Sequence, residues 1–297
     1  MSNKEESGRG ADPACADAGT SVVAVGGYRF HYRETGDRDA PPVLLLHGFL
    51  GGLDEFDALA ARLGPRFRCV TLDLPGHGRT QVDGSVAAYR MAATARGVIG
   101  LLTVLGIESC PLVGYSMGGR LALYLAVRFP TRFDRLVLVS ASAGLAVGRE
   151  RRLRVASDER LAQVLEADGL DAFLSDWYRN PLFGTLSTHR DFAEILARRR
   201  RNDAQELARS LRHLGIGRQP SLWRYLKSLP MPCLLLVGAG DPKFVRINRE
   251  MARSIPEVRL EVLAGCGHAL HLEDPAACAE RLARFLADAA RSGRPPE

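Results

Sequence analysis

The chain reads as an α/β protein, a mostly parallel, doubly wound sheet carrying an inserted helical cap. Short, continuously apolar runs recur along its 297 residues, and runs of that length are strands covered on both faces. Amphipathic stretches with apolar residues at spacings of three and four alternate with them, the pattern of a parallel sheet built from βαβ units. The alternation lapses once, between residues 146 and 227, where the sequence is Arg-rich and helical with no clear strand.

The first element, SVVAVGGYRFHYRETG, alternates apolar and polar residues around Gly26-Gly27 and predicts an antiparallel hairpin at one edge. VLLLHG, RCVTLDLPG, CPLVGYS, RLVLVSA, PCLLLVGAGD and RLEVLAGCGH then predict buried strands. DEFDALAARLG, AYRMAATARGVIGLLTVLG, MGGRLALYLAVRF and DPAACAERLARFLADAA predict the helices between and after them. The core is therefore expected at 21–145 and 228–290 and the cap at 146–227. SASAGL and the helix-discouraging LPMP mark the two seams. Residues 1–20, with their Gly, Ala and Asp, read as a disordered lead-in, and 291–297 as a polar tail.

Composition is that of an ordinary globular protein, with 46% apolar and 25% charged residues. The N-terminus lacks the apolar run of a secretory signal, and no stretch is long enough to span a membrane. The expectation is a soluble cytoplasmic protein, a monomer or weak homo-oligomer. Cysteines at 15, 69, 110, 233, 266 and 278 form no Cys-x-x-Cys motif, so buried free thiols are expected rather than disulfides or a metal site. The net charge of +6 is concentrated: residues 146–225 hold 15 Arg, no Lys and 11 Asp plus Glu, an excess of +4. That balance hints at an anionic partner, and charge alone does not say whether it is nucleic acid, membrane or a small molecule. Nucleic acid is disfavoured, because acids dilute the arginines and no recognition module is present.

LVGYSMGG places Gly114, Ser116 and Gly118 in a G-x-S-x-G segment after a strand and before a helix, the setting of a nucleophile elbow. Alone, such a segment could be a simple Ser-Gly turn. Its partners decide: Asp241 follows the LLLVGAGD strand and His268 the LEVLAGCGH strand, giving the order Ser, acid, His at strand ends. His271 is a rival that His268 beats by directly following the Gly-Cys-Gly turn. LHGFLGG supplies the second oxyanion donor, so the N–H groups of Phe49 and Met117 are expected to converge on a developing negative charge. DLPGHG reads as a structural turn, with no catalytic role for His77. Arg120, four residues past Ser116, lies where a cation opposes the helix macrodipole and needs an anion, either a neighbouring acid or a ligand.

The motifs LHGFLGG, DLPGHGRT, GYSMGGRLAL, GAGDPKF and GCGHALHLEDP resemble the α/β-hydrolase superfamily across residues 22–290. GYSMGGR, HGFLG, LSDWYRNPLF and DPKF more narrowly resemble the 2-succinyl-6-hydroxy-2,4-cyclohexadiene-1-carboxylate synthase family, lyases of menaquinone and phylloquinone biosynthesis. The resemblance implies elimination of pyruvate from a cyclohexene bearing several carboxylates, with Ser116, Asp241 and His268 acting as a base, no cofactor and no acyl-enzyme. It also implies that Arg120, Arg154 and Arg198 bind carboxylates and that Tyr115 and Trp177 line the pocket. Trp177 and Phe183 equally fit a cap core. Arg149, Arg151, Arg152 and three of Arg198 to Arg201 read as a solvated face. One departure is Ala143-Gly144-Leu145, where the family usually has Pro-Gly-Leu. A serine hydrolase using the same three residues, or a non-catalytic receptor on this fold, are the other readings of the chain.

Overall fold

A computed structural model describes residues 19–287, so the predicted N-terminal lead-in, but for its last two residues, and the C-terminal tail lie outside the described residues. Strands β1 (Thr20–Val25) and β2 (Tyr28–Thr35) form the expected hairpin. Gly26 (φ 53) and Gly27 (φ 86) supply its turn, since a two-residue hairpin loop of the matching twist needs positive φ at both positions. Next come β3 (Pro42–Leu46), α1 (Asp57–Leu63), β4 (Arg68–Leu72), the two-residue β5 (Gln81–Val82), α2 (Met91–Val104), β6 (Leu112–Tyr115), α3 (Met117–Arg128) and β7 (Leu136–Val139). The segment after β7 is helical: α4 (Gly148–Trp177), α5 (Gly184–Ser187), α6 (Phe192–Arg199) and α7 (Ala204–Leu214). The sheet then resumes with β8 (Cys233–Gly238), α8 (Pro242–Ala252), β9 (Val258–Leu263), α9 (Leu270–Glu273) and α10 (Pro275–Ala287).

The sheet order is β1-β2-β4-β3-β6-β7-β8-β9, antiparallel at the hairpin and parallel from β4 to β9. Alternation along β3 shows the double winding: Val43 and Leu45 join a core with α1 and α10, while Leu44 and Leu46 join the opposite core with α2 and α3. Each of these side chains is fully buried, which contributes about 1.5–3 kcal/mol apiece. Two elements depart from the sequence reading. β5 is too short to carry a periodic signal and is held only by pairing Tyr28 with Val82 and Arg29 with Gln81. β9 is an edge strand rather than a strand covered on both faces, with Arg259 and Val262 exposed.

Helix α4 is interrupted at Gly169, whose φ of 80° and ψ of 175° are not helical. This break redirects the chain, so that residues from both halves of α4 face one cavity over the carboxyl ends of the parallel strands. No helix among the described residues is long and apolar enough to cross a membrane.

Candidate active site

Ser116 sits between β6 and α3 with φ 48° and ψ −105°, a strained conformation for a residue with a side chain. Crowding enforces the elbow. A Cβ on Gly118 would lie 2.2 Å from the Leu46 carbonyl oxygen and one on Gly114 2.5 Å from that of Gly118, so neither position admits a side chain. The Ser116 N–H is held by the Val139 carbonyl at 2.9 Å, and its own carbonyl accepts the Arg120 N–H at 3.0 Å.

Asp241 ends the turn after β8 and does two jobs with two oxygens. Oδ1 accepts the Phe244 N–H at 3.0 Å, capping α8, while Oδ2 lies 2.7 Å from His268 Nδ1. This pairing fixes the tautomer with Nδ1 as donor, leaving Nε2 to accept from Ser116 Oγ at 3.1 Å. Burial pulls the His268 pKa below its ordinary value, and Asp241 only partly offsets it. The imidazole is thus neutral at pH 7. Serine, histidine and acid are therefore in hydrogen-bonding sequence, the geometry of an activated hydroxyl.

These side chains open on a cavity of about 740 Å³ that Phe49, Tyr115, Met117, Arg120, Arg154 and Trp177 also line. Among the described residues neither the Phe49 nor the Met117 N–H donates to a backbone carbonyl, which at Met117, the first residue of α3, holds for any helix N-terminus. Tyr115 is buried against the rings of His268 (5.5 Å) and His271 (4.2 Å). Trp177 stacks on Phe173 (5.4 Å) and meets Phe49 edge-on (5.3 Å), so it serves as both cap packing and cavity wall.

The arginines divide sharply. Arg120 donates to Gln219 Oε1 (2.8 Å) and the Leu214 carbonyl (3.3 Å), both neutral acceptors. Burial, reinforced by Arg154, pushes its pKa down to about 10. Arg154 pairs with Asp158 at 2.7 Å while lining the cavity. Arg198 departs from the sequence expectation: it does not line the cavity, and instead donates to the Asp54 carbonyl (3.2 Å) and pairs with Glu194 (3.6 Å). Ile195 and Arg199, four apart on α6, are the buried positions, so the inward guanidinium is Arg199. Arg200 and Arg201 are exposed and pair with Asp171 and Asp54, and Arg149 and Arg152 are exposed.

Arg199 belongs to a buried cluster that sequence reasoning missed. It grips Glu55 with both terminal nitrogens and donates to the Tyr178 hydroxyl at 3.2 Å. His271 Nε2 donates to the same Glu55 at 3.0 Å, which gives the rival histidine a structural partner away from Ser116. Burial alone would raise the Glu55 pKa, but Arg199 and His271 hold it well below the carboxylate range. His77 is buried beside His47 and Phe49 and does not line the cavity. No cluster of three or more His, Cys, Asp or Glu residues suited to a metal occurs among the described residues, and the five cysteines there are free and buried.

A family profile for the α/β hydrolase fold matches residues 41–275. A relative from Bacillus subtilis (strain 168), provisionally named 2-succinyl-6-hydroxy-2,4-cyclohexadiene-1-carboxylate synthase, is 35% identical over 271 residues, 90% of this chain and 97% of its own. The enzyme of that name from Serratia proteamaculans (strain 568) is 33% identical over 255 residues, 85% of this chain and 96% of its own. The structure of MenH from S. aureus superposes with a TM-score of 0.82 at 29% identity, covering 89% of this chain and 99% of that one. The chain therefore belongs to the α/β hydrolase fold family and, within it, to the 2-succinyl-6-hydroxy-2,4-cyclohexadiene-1-carboxylate synthase family, whose members are lyases.

Proposed function

We propose that the protein eliminates pyruvate from 2-succinyl-5-enolpyruvyl-6-hydroxy-3-cyclohexene-1-carboxylate to give 2-succinyl-6-hydroxy-2,4-cyclohexadiene-1-carboxylate, a step toward menaquinone or phylloquinone, without a cofactor. The observation that carries the reading is Arg120. A half-buried guanidinium beside a second arginine, held by neutral acceptors in the cavity that contains Ser116, calls for an anionic ligand. Asp158 offsets part of the charge of the two arginines, and a neutral ester would add nothing to that.

The two ring systems define the chemistry. The C2 proton is lost, the C3=C4 electron pair moves to C4=C5, and the C5–O bond breaks to release enolpyruvate. In this reading Ser116 Oγ takes the C2 proton while passing its own to His268 Nε2, and Asp241 steadies the imidazolium that forms. The negative charge that develops on the succinyl ketone oxygen is received by the Phe49 and Met117 N–H groups. His268 then returns its proton to the departing enolpyruvate, which tautomerises to pyruvate. Base and oxyanion donors are each worth about 10²–10⁴-fold and 10²–10³-fold in rate. Arg120 and Arg154 hold carboxylates in this scheme, and Tyr115 and Trp177 wall the ring.

Arg120→Ala tests the carrying observation. Removing a charge-assisted contact of about 1.5–3 kcal/mol should lower kcat/KM for pyruvate release by about ten- to a hundred-fold. Unchanged kinetics in that variant, or brisk p-nitrophenyl ester hydrolysis with no pyruvate formed, would favour a serine hydrolase instead.

A further inference from the structure

Gln219 is 1% exposed, lies in the segment after α7, and is the side chain that holds Arg120. A guanidinium has no acceptor, so the amide must turn its Oε1 toward Arg120, as observed at 2.8 Å. The amide nitrogen is then left buried without a hydrogen-bond partner, packed where a Cβ on Gly144 would come within 3.1 Å. This seat is latched by Leu222 N–H to the Ala143 carbonyl (2.8 Å) and Trp223 Nε1–H to the Gly144 carbonyl (2.9 Å). For stability alone a carboxylate would serve better in this place, since it would pair with the guanidinium and leave no stranded donor.

The rest of the surroundings leave Arg120 similarly unmatched. Its other acceptor is the Leu214 carbonyl at the last turn of α7, which offers only a partial negative charge, while the N-terminal end of α3 opposes a cation. The acid that acts on it, Asp158, is engaged by Arg154, and Arg154 itself adds a like charge. Both protein contacts use the same nitrogen, Nη1. Among the described residues the Nε and Nη2 edge makes no hydrogen bond to protein, and such an edge suits the two oxygens of a carboxylate.

We propose that Gln219 is a positioning residue that sets specificity: a neutral clamp that aims the Nε and Nη2 edge of Arg120 into the cavity without cancelling its charge, so that the site selects carboxylate-bearing ligands. This rests on the reading that Arg120 meets a substrate anion. Gln219 acts through Arg120 and takes no part in the proton transfers.

The test compares wild-type protein with Gln219→Glu and Gln219→Met, measuring melting temperature, calorimetric binding of succinate, and pyruvate-release kinetics. Gln219→Glu should melt at or above the wild-type temperature yet bind succinate at least tenfold more weakly. Its KM should rise at least tenfold with a smaller change in kcat. Gln219→Met, which removes the clamp without adding a charge, should weaken binding by a smaller factor of about three or more. Wild-type affinity and KM in Gln219→Glu would overturn the proposal, as would a fall in melting temperature in both variants with succinate binding unmoved. Should Gln219→Glu not fold, unchanged succinate affinity in Gln219→Met overturns it and a threefold loss supports it. Wild-type protein that binds succinate through Arg120 but makes no pyruvate would refute the lyase reading and leave the clamp standing. Normal pyruvate release with unaltered Gln219→Glu kinetics would do the reverse.

Discussion

His268 is where burial and charge meet most directly at the scale of single residues. Its pKa is lowered by burial, and a base works only when unprotonated, so activity is lost as pH falls through that depressed value. The acid limb of kcat/KM against pH should therefore lie below the ordinary histidine range near 6.5; an inflection above 7 would contradict the neutral-imidazole account. Ser116, Asp241 and His268 were legible in the sequence because each follows a strand, directly or after a short turn, and strand ends can be read from apolar runs and glycine turns. Arg199 was not. In a run of four arginines the inward position is chosen by the pitch of α6 and by Glu55, 144 positions away. Glu55, inside the helix-predicting run DEFDALAARLG, and Gln219, in a loop, were invisible for the same reason, since neither position carries a signal of the cation it will meet.

Among elements, the most consequential contact is between the helical insertion and the loop after β3. Glu55 lies in the short 3-10 helix Leu53–Phe56 that follows that loop, seven residues after Gly48, and ties it to α6 through Arg199 and to α9 through His271. Breaking a buried ion pair by removing one charge costs about 3–5 kcal/mol. Glu55→Gln is accordingly expected to unfold at clearly lower denaturant, and chemical denaturation followed by circular dichroism measures it; a midpoint within error of wild type would show the cluster to be energetically idle. The elbow makes a sharper demand. Gly118→Ala should yield little folded protein, because its Cβ meets backbone rather than a side chain that could move. The main strands and helices followed from periodicity, whereas β5 is made by pairing alone and the exposure of β9 by its place at the edge.

Across the whole molecule, one sheet brings together residues 116, 241 and 268 at the carboxyl ends of its strands, and the helices between β7 and β8 roof them with arginine and aromatic side chains. The parallel order was legible because βαβ alternation leaves few alternatives; the break in α4 at Gly169 was not, because one glycine in a polar helix gives no direction. Stability should share the acid sensitivity of the site. Burial lowers the pKa of His47 and His268 and pushes His77 down to about 3. The unfolded chain therefore binds more protons below about pH 6.5, and stability present above that pH is lost as pH falls. Asp57, Asp134 and Asp158 are shifted upward and act oppositely, but they begin to titrate nearer the carboxylate range. Melting temperature should drop between pH 7 and pH 5, and a flat or rising profile would contradict the burial of neutral imidazoles.

The most direct test of the central claim is the initial rate of pyruvate release from the enolpyruvyl cyclohexene substrate by wild-type protein and by Ser116→Ala, with diene absorbance followed in parallel. The account predicts equal yields of pyruvate and diene from the wild type and a loss of about 10²–10⁴-fold in Ser116→Ala, with its fold intact. Wild-type rates in Ser116→Ala, or no pyruvate from either protein, would contradict it.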